Sequence, residues 1–348
     1  MWAMIVKEFR ELRRDRRTMA MLVGLPLVLL VVFGYAANFN VSKIDTEVLG
    51  PQAQQVAARL HAPFDVTRVD PSGTRAQAED DLRENRLDVA VVTATSGTPV
   101  VLVDGSALFT AQSAVSALHS AGSSFQIQVL FNPDLKTSWV MVPALIGLVL
   151  AFIGTIITSL GLVRERQAGT LEQLAVMPFR PSDVIAGKIA PYFGLAALDL
   201  LLVTVIGVVL FGVPFAGSVA LFALAGAIFL LVVLGLGVLI STVSQNQGQA
   251  IQTAILVLLP QVLLSGMIFP LAAMPWGVRW IGYLLPLTYF VNISQGIMLR
   301  GASFASLWPS YLVLTVMAVA VLGVAILRFR RDLAPNVRAA EPEPAAAP

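Results

Sequence analysis

The chain has 348 residues, of which 57% are hydrophobic and 13% charged, with a mean hydropathy of +0.79. Soluble domains carry about 25% charged residues, so this composition excludes both a water-soluble globule and a disordered chain. The pI of 9.1 rests on 23 basic against 21 acidic side chains, too small an excess to indicate nucleic-acid binding.

Cysteine is absent, which removes disulfides, thiolate metal sites and cysteine nucleophiles. His61 and His119 are far apart and outside any metal-ligand spacing, so both read as ordinary polar positions. In the first 17 residues Trp2, Ile5, Val6, Phe9 and Leu12 share one helical face. Lys7, Glu8, Arg10, Glu11 and Arg14 occupy the other, the pattern of an amphipathic helix lying at a membrane surface. Apolar runs of roughly the ~20 residues that a bilayer core requires follow. They fall at 18–38, 138–163, 188–212, 217–241, 250–270 and 309–327, predicting six transmembrane helices. The first run is longer than a signal-peptide core and lacks an A-x-A end, which argues against cleavage.

Lys and Arg near the spans set the orientation. Lys7, Arg10, Arg13, Arg14, Arg16 and Arg17 precede the first span. Arg164, Arg166, Arg180 and Lys188 lie between the second and third, and Arg328, Arg330, Arg331 and Arg338 follow the sixth. The opposite connections hold no basic residue at 213–216 and only Arg279 and Arg300 at 271–308. Both termini are therefore expected in the cytoplasm of a multi-pass plasma-membrane protein, with residues 39–137 forming an extracytoplasmic domain. The tail at 328–348, ending in Glu-Pro-Glu-Pro and alanines, reads as disordered.

The inserted domain reads as small α/β. Pro51–Leu60 is helical, Phe64, Val66 and Val69 suggest a strand, and Thr74 with Gln77 forms a capping box opening a helix through Arg86. Val89–Thr93 and Val100–Val103 are β-rich runs joined by Ser96-Gly97-Thr98-Pro99, a predicted hairpin. Asp104-Gly105-Ser106 turns the chain into a helix running toward the second span. Residues 40–50 show no apolar strand pattern.

Three features go beyond a plain helix bundle. In the cytoplasmic connection at 164–187, Gly169 permits a sharp break after Glu165-Arg166-Gln167-Ala168. Thr170 and Gln173 form a capping box, with Glu172 in the first turn where the helix dipole favours an acid. Pro178 and Pro181 end this helix, Ser182 and Asp183 cap the next, and Leu171, Leu174 and Met177 offer apolar contacts to a partner groove. Equally, it could be no more than a well-capped loop. The second feature runs from Pro260 through Ser265, Gly266, Phe269, Pro270, Met274, Pro275 and Trp276 to Pro286. So many prolines predict a broken, re-entrant segment at 266–290, with Trp276, Trp280 and Tyr283 at interfacial depth, or else an outer loop with aromatic anchors. The third is Asp199, the one acid inside the spans, about two turns past Pro191. A structural or assembly role is favoured, because no second buried charge is available for a proton relay.

No P-loop is present, since Ser182 occupies the place of that motif's first glycine before Gly187-Lys188. Several motifs nevertheless occur together: Glu165-x-x-x-Gly169-Thr170-Leu171-Glu172-Gln173-Leu174-x-x-x-Pro178, Gly187-Lys188, Leu264-Ser265-Gly266-Met267-Ile268-Phe269-Pro270 with Met274-Pro275, Pro286-Leu287-Thr288-Tyr289 and Arg300-Gly301. In this order they resemble the permease subunits of ABC-2-type exporters that carry an outer domain between the first two helices. Gln167 departs from the acid common there.

The resemblance implies two permeases, same or sister chains, bound to two ATPase subunits that hold the ATP and Mg; this chain would bind no cofactor of its own. It implies that residues 165–178 form the helix that couples the spans to the ATPase. It also implies export of a lipophilic or amphipathic solute from within the membrane lipid. A membrane-anchored sensor whose outer domain binds a ligand, and a proton-coupled carrier using Asp199, are the competing readings.

Overall fold

The structure, a computed structural model, describes the backbone of residues 43–95, 97–120, 125–169 and 181–333. The surface helix expected at 1–17, the first span at 18–38, residues 170–180 and the tail from 334 lie outside the described residues.

A five-stranded sheet comes first, built from β1 (Ile44–Leu49), β2 (Phe64–Asp70), β3 (Val89–Val92), β4 (Val100–Asp104) and β5 (Gln126–Leu130). Its order is β2-β1-β3-β4-β5. β1 is parallel to β2 and β3, β3 and β4 form the antiparallel hairpin, and β5 is parallel to β4. Helices α1 (Ala53–Ala57), α2 (Arg75–Arg83) and α3 (Leu108–Ser120) cover it. Strand alternation sorts the core into two clusters. Val89, Val91, Val101 and Val103 meet Val56, Ala111 and Leu118, whereas Ala90 and Leu102 meet Ala78 and Leu82. Covering both faces leaves no polar alternation in β3 and β4, hence their unbroken apolar runs. Thr74 caps α2 by accepting from the Gln77 N–H at 3.4 Å.

Two strands correct the sequence reading. β1, an interior strand of the sheet, lies where no strand pattern was expected, because Asp45, Thr46 and Glu47 interrupt it. The interruption is tolerated through a register shift at Thr46/Glu47 and an ion pair from buried Glu47 to Arg68 at 3.1 Å. The helix expected to run on toward the second span stops at Ser120, and β5 follows as an edge strand in which Gln126 and Gln128 alternate with apolar residues.

The bundle contains α4 (Thr137–Gln167), α5 (Pro181–Phe211), α6 (Val219–Val243) and α7 (Gln247–Leu264). A 3-10 turn at Leu271–Ala273, α8 (Trp276–Gly282), α9 (Pro286–Gln295), a π turn at Gly296–Arg300 and α10 (Phe304–Leu333) complete it. Among the described residues five helices are long and apolar enough to cross a membrane, which makes this a multi-pass membrane protein. α4 and α6 form the interior: 56% and 50% of their apolar stretches are buried, against 17% for α5. Phe290 of α9 stacks on Phe229 of α6 at 4.6 Å and fills the space beside Gly147 of α4, where a Cβ would lie 2.4 Å from the ring.

Proline placement explains the remaining differences. Pro181 is the first described residue of α5, in the helix that Ser182 and Asp183 were expected to cap. Pro260 sits inside α7, which ends at Leu264 and not at 270. Pro270, Pro275 and Pro286 each stand at the start of a short element. Around Pro143 in α4, Ser294 donates to Pro143 O at 3.2 Å and the Gln295 side chain to Val140 O at 3.0 Å. α9 thus adds side-chain donors to two α4 carbonyls near that proline. α10 continues past 327 to Leu333.

Asp88, half-buried before β3, accepts from the Asp45 N–H at 3.2 Å. Burial pushes its carboxyl up from 3.8 to about 6, and burial raises Glu47 as well. A carboxyl raised in the folded state stabilises the fold below its unfolded value, and that contribution disappears as pH climbs through the folded one. The sheet domain is therefore expected to be more stable at pH 5 than at pH 8, by on the order of 1 kcal/mol from Asp88 alone. Hydrogen exchange of β1 and β3 amides in the intact chain, corrected for intrinsic rates, measures this. Asp88→Asn should flatten the difference; an undiminished slope in that variant would assign it elsewhere.

Candidate functional site

α4 ends in four consecutive long polar residues, Arg164-Glu165-Arg166-Gln167. Helical geometry points successive side chains in different directions, so each reaches a different neighbour. Arg164 Nε donates to Gln247 Oε1 at 3.1 Å, and Gln247 Nε2 donates to Gln167 Oε1 at 3.2 Å. Arg166 Nη1 donates to Ser241 O at 3.0 Å and to Ser244 O at 3.2 Å. Those carbonyls belong to the last turn of α6, where helix carbonyls lack intrahelical partners and the dipole favours a cation. Glu165 pairs with Lys188 of α5. One helix end is thereby tied to the end of α6, the start of α7 and α5 at Lys188.

The chain then turns away sharply. The Gly169 N–H donates to Arg166 O at 3.1 Å, and Gly169 has φ +73°, with nothing within 4 Å of the place a Cβ would take. Conformation alone selects glycine there. Thr170, Leu171, Glu172, Leu174 and Pro178, which carry the remainder of the expected coupling helix, lie outside the described residues.

At the other end of the bundle, the residues singled out between α7 and α8 come together in part. Phe269 and Met274 are buried with Leu263 and Leu264, while Pro275 and Trp276 are exposed. Ser265 is buried, and Gly266 turns the chain with φ +87°. Side chains fix the break between α8 and α9: Thr288 Oγ1 donates to Gly282 O at 2.6 Å and the Tyr289 hydroxyl to Tyr283 O at 2.6 Å.

Sequence reasoning missed the contact that joins the sheet domain to this end. Arg300, read only as half of an Arg-Gly pair, is 6% exposed and donates from Nη1 to Ser106 Oγ at 2.8 Å. The same nitrogen lies 3.7 Å from Oδ2 of Asp104, which is 1% exposed and whose Oδ1 accepts from the Ser106 N–H at 2.8 Å. Burial raises the Asp104 carboxyl and lowers the Arg300 guanidinium, while their mutual attraction opposes both. The available signals were an arginine in an otherwise apolar stretch and, nearly 200 positions earlier, a turn-forming Asp-Gly-Ser. Asn132 secures the linker into α4, accepting from the Lys136 N–H at 2.9 Å and donating to Lys136 O at 3.1 Å.

Asp199 stands near the midpoint of the apolar stretch Ala186–Phe211, deeper than its distance from Pro191 suggested. With Thr158 and Tyr192 it lines a cavity of about 150 Å³ between α4, α5 and α6.

Comparison with known proteins places these features in context. Residues 16–327 match the family model described as ABC-2 family transporter protein. The "Probable multidrug ABC transporter permease YbhS" of Escherichia coli is 30% identical over 364 aligned residues, covering 95% of this chain and 97% of that protein. The "Probable multidrug ABC transporter permease YbhR" is 28% identical, covering 96% and 99%. The "Inner membrane transport permease YhhJ" is 37% identical over 219 residues, 60% of this chain and 56% of its own length.

Removing one member of a buried ion pair strands the other, at a cost of ~3–5 kcal/mol. Arg300→Ala is therefore expected to loosen the sheet domain from the bundle, and combining it with Asp104→Leu should recover part of the loss. Limited proteolysis at the 131–136 linker in the membrane-embedded chain reads this directly. Equal cleavage of wild type and Arg300→Ala would show that the pair does not hold the domain.

Proposed function

The chain belongs to the ABC-2 transporter family, and from that membership we propose that it is the membrane-spanning permease of an ATP-driven exporter. Its substrate on this reading is a lipophilic or amphipathic solute, such as a drug, an antibiotic or a lipid-like molecule, moved out across the bacterial inner membrane. The chain itself is not an enzyme. A separate ABC ATPase subunit binds ATP and Mg, and two of these serve a pair of permeases, the second being another copy or a sister chain. Six spans, counting 18–38, leave both termini in the cytoplasm and the sheet domain outside. The observation that carries this reading is the polar cluster at the end of α4. It makes one helix terminus the common attachment of α5, α6 and α7, at the start of the 165–178 segment on which the ATPase would dock.

Two experiments test the proposal. Losing a buried leucine at an interface costs ~2 kcal/mol or more, so Leu174→Asp should undock the ATPase while leaving the sheet domain folded. Export and substrate-stimulated ATPase activity of the reconstituted complex should fall together by tenfold or more. Undiminished coupled activity in that variant would remove 165–178 from the mechanism. Orientation is tested separately with single introduced cysteines, which need no background removal. A cysteine at Thr98 should react with an impermeant maleimide in intact cells and one at Gln245 should not; the opposite pattern inverts the topology.

A further inference from the structure

The cavity at Asp199 is walled by Gly154 and Thr158 of α4, Tyr192, Ala196 and Asp199 of α5, and Leu234 of α6. Close helix approach builds it. A Cβ on Gly161 would lie 2.1 Å from the Tyr192 hydroxyl oxygen, and one on Gly237 would lie 2.7 Å from Thr158 Cβ, so two glycines admit the polar side chains into the packed interior. Thr158 is fully buried. Neither Thr158 Oγ1 nor Asp199 Oδ2 has a hydrogen-bond partner among the described residues, and both atoms are shielded from solvent. Buried polar atoms at membrane depth are costly when unpaired, so two of them lining one cavity mark a place for a ligand that satisfies them.

The lining defines the chemistry of that ligand. It contains one carboxylate, two hydroxyls and an aromatic ring, and neither Lys, Arg nor His, so it repels anions and suits a cation. The volume of about 150 Å³ matches the share of roughly five waters. That accommodates an ammonium head with its methyl groups but not a drug-sized body, whose pockets run ~300–1,000 Å³. The rim is apolar: Ile153, Ile157 and Leu195 are 37%, 46% and 65% exposed on the surface that faces hydrocarbon or a second permease. A tail attached to the head would lie along this rim.

We infer that the Asp199–Thr158–Tyr192 cavity is a head-group site for cationic amphiphiles, entered from the membrane. The inference rests on the permease reading above and names the substrate class that this site would favour.

Binding, which requires no ATP, separates the two. The permease in phosphatidylcholine nanodiscs is titrated with dodecyltrimethylammonium, dodecyl maltoside and dodecanoate below their micellar concentrations. Wild type should prefer the cation tenfold or more over the other two. Asp199→Asn should reduce that preference to within twofold without changing maltoside binding, Thr158→Val should weaken it severalfold, and Asp199→Glu should retain part of it. If Asp199→Asn does not assemble, Thr158→Val and Tyr192→Phe must each lower the cation preference, or the site is refuted. Equal affinity for all three probes in wild type, or a preference that survives Asp199→Asn, overturns the inference. Cation binding without ATP-driven transport in the wild-type complex would instead sink the exporter reading and leave the site standing.

Discussion

Arg166 donating to the terminal carbonyls of α6 is the contact around which the bundle is organised. A helix that ends at a membrane surface exposes carbonyls that water or a side chain must satisfy. Here the neighbouring helix supplies the donor, with its charge placed where the α6 dipole is negative. Arg164 donates to the side chain of Gln247, the first residue of α7, which in turn donates to Gln167, and Glu165 pairs with Lys188. Displacing the end of α4 cannot leave its three neighbours in place without breaking these bonds together. Gly169, with φ +73°, breaks the helix directly after that fixed point.

α4 carries the same constraint along its length. At 1.5 Å per residue its 31 residues extend ~46 Å, more than a bilayer core. Its first turn is tied to the sheet domain through Asn132, and α9 donates to the carbonyls around Pro143. Arg300 reaches from the π turn into the sheet domain at Ser106 and Asp104. A buried arginine reaching from the bundle adds a non-covalent contact to the chain connections of the domain and restricts its motion. In hydrocarbon or at its edge such a contact resists exchange with water, which is why a single buried pair can orient a whole domain.

Much of this architecture was legible because the membrane enforces simple patterns. Runs of apolar residues fall on the five described helices long and apolar enough to cross a membrane, and Thr74 with Gln77, the β3–β4 hairpin and the turn at Gly169 follow from local chemistry. What stayed hidden depends on distant partners. β1 is recognisable only once Arg68 is known to neutralise Glu47, and β5 is a short edge strand whose partner precedes it by a whole helix. Gln167 looked like the loss of an acid, yet its amide meets Gln247, 80 positions away in sequence. Arg300 and Asp104 are likewise unremarkable in sequence and become a pair only when the domain folds back onto the bundle.

The cavity at Asp199 lies on that same helix. Gly154 and Thr158 place its floor on α4, between the contacts near Pro143 and the polar cluster that begins at Arg164. A head group bound there fills space between α4 and α5, and Glu165–Lys188 joins those helices a short distance toward the ATPase side of the proposed exporter. Occupancy and the coupling segment would therefore act on one helix pair at two depths. Linkage then requires reciprocity: a ligand that favours one spacing of α4 and α5 favours whichever ATPase arrangement shares it, and the ATPase alters the ligand's affinity by the same factor. On this geometry, substrate stimulation of ATP hydrolysis needs no separate signalling route, because the helix that forms the binding cavity continues directly into the segment the ATPase would move.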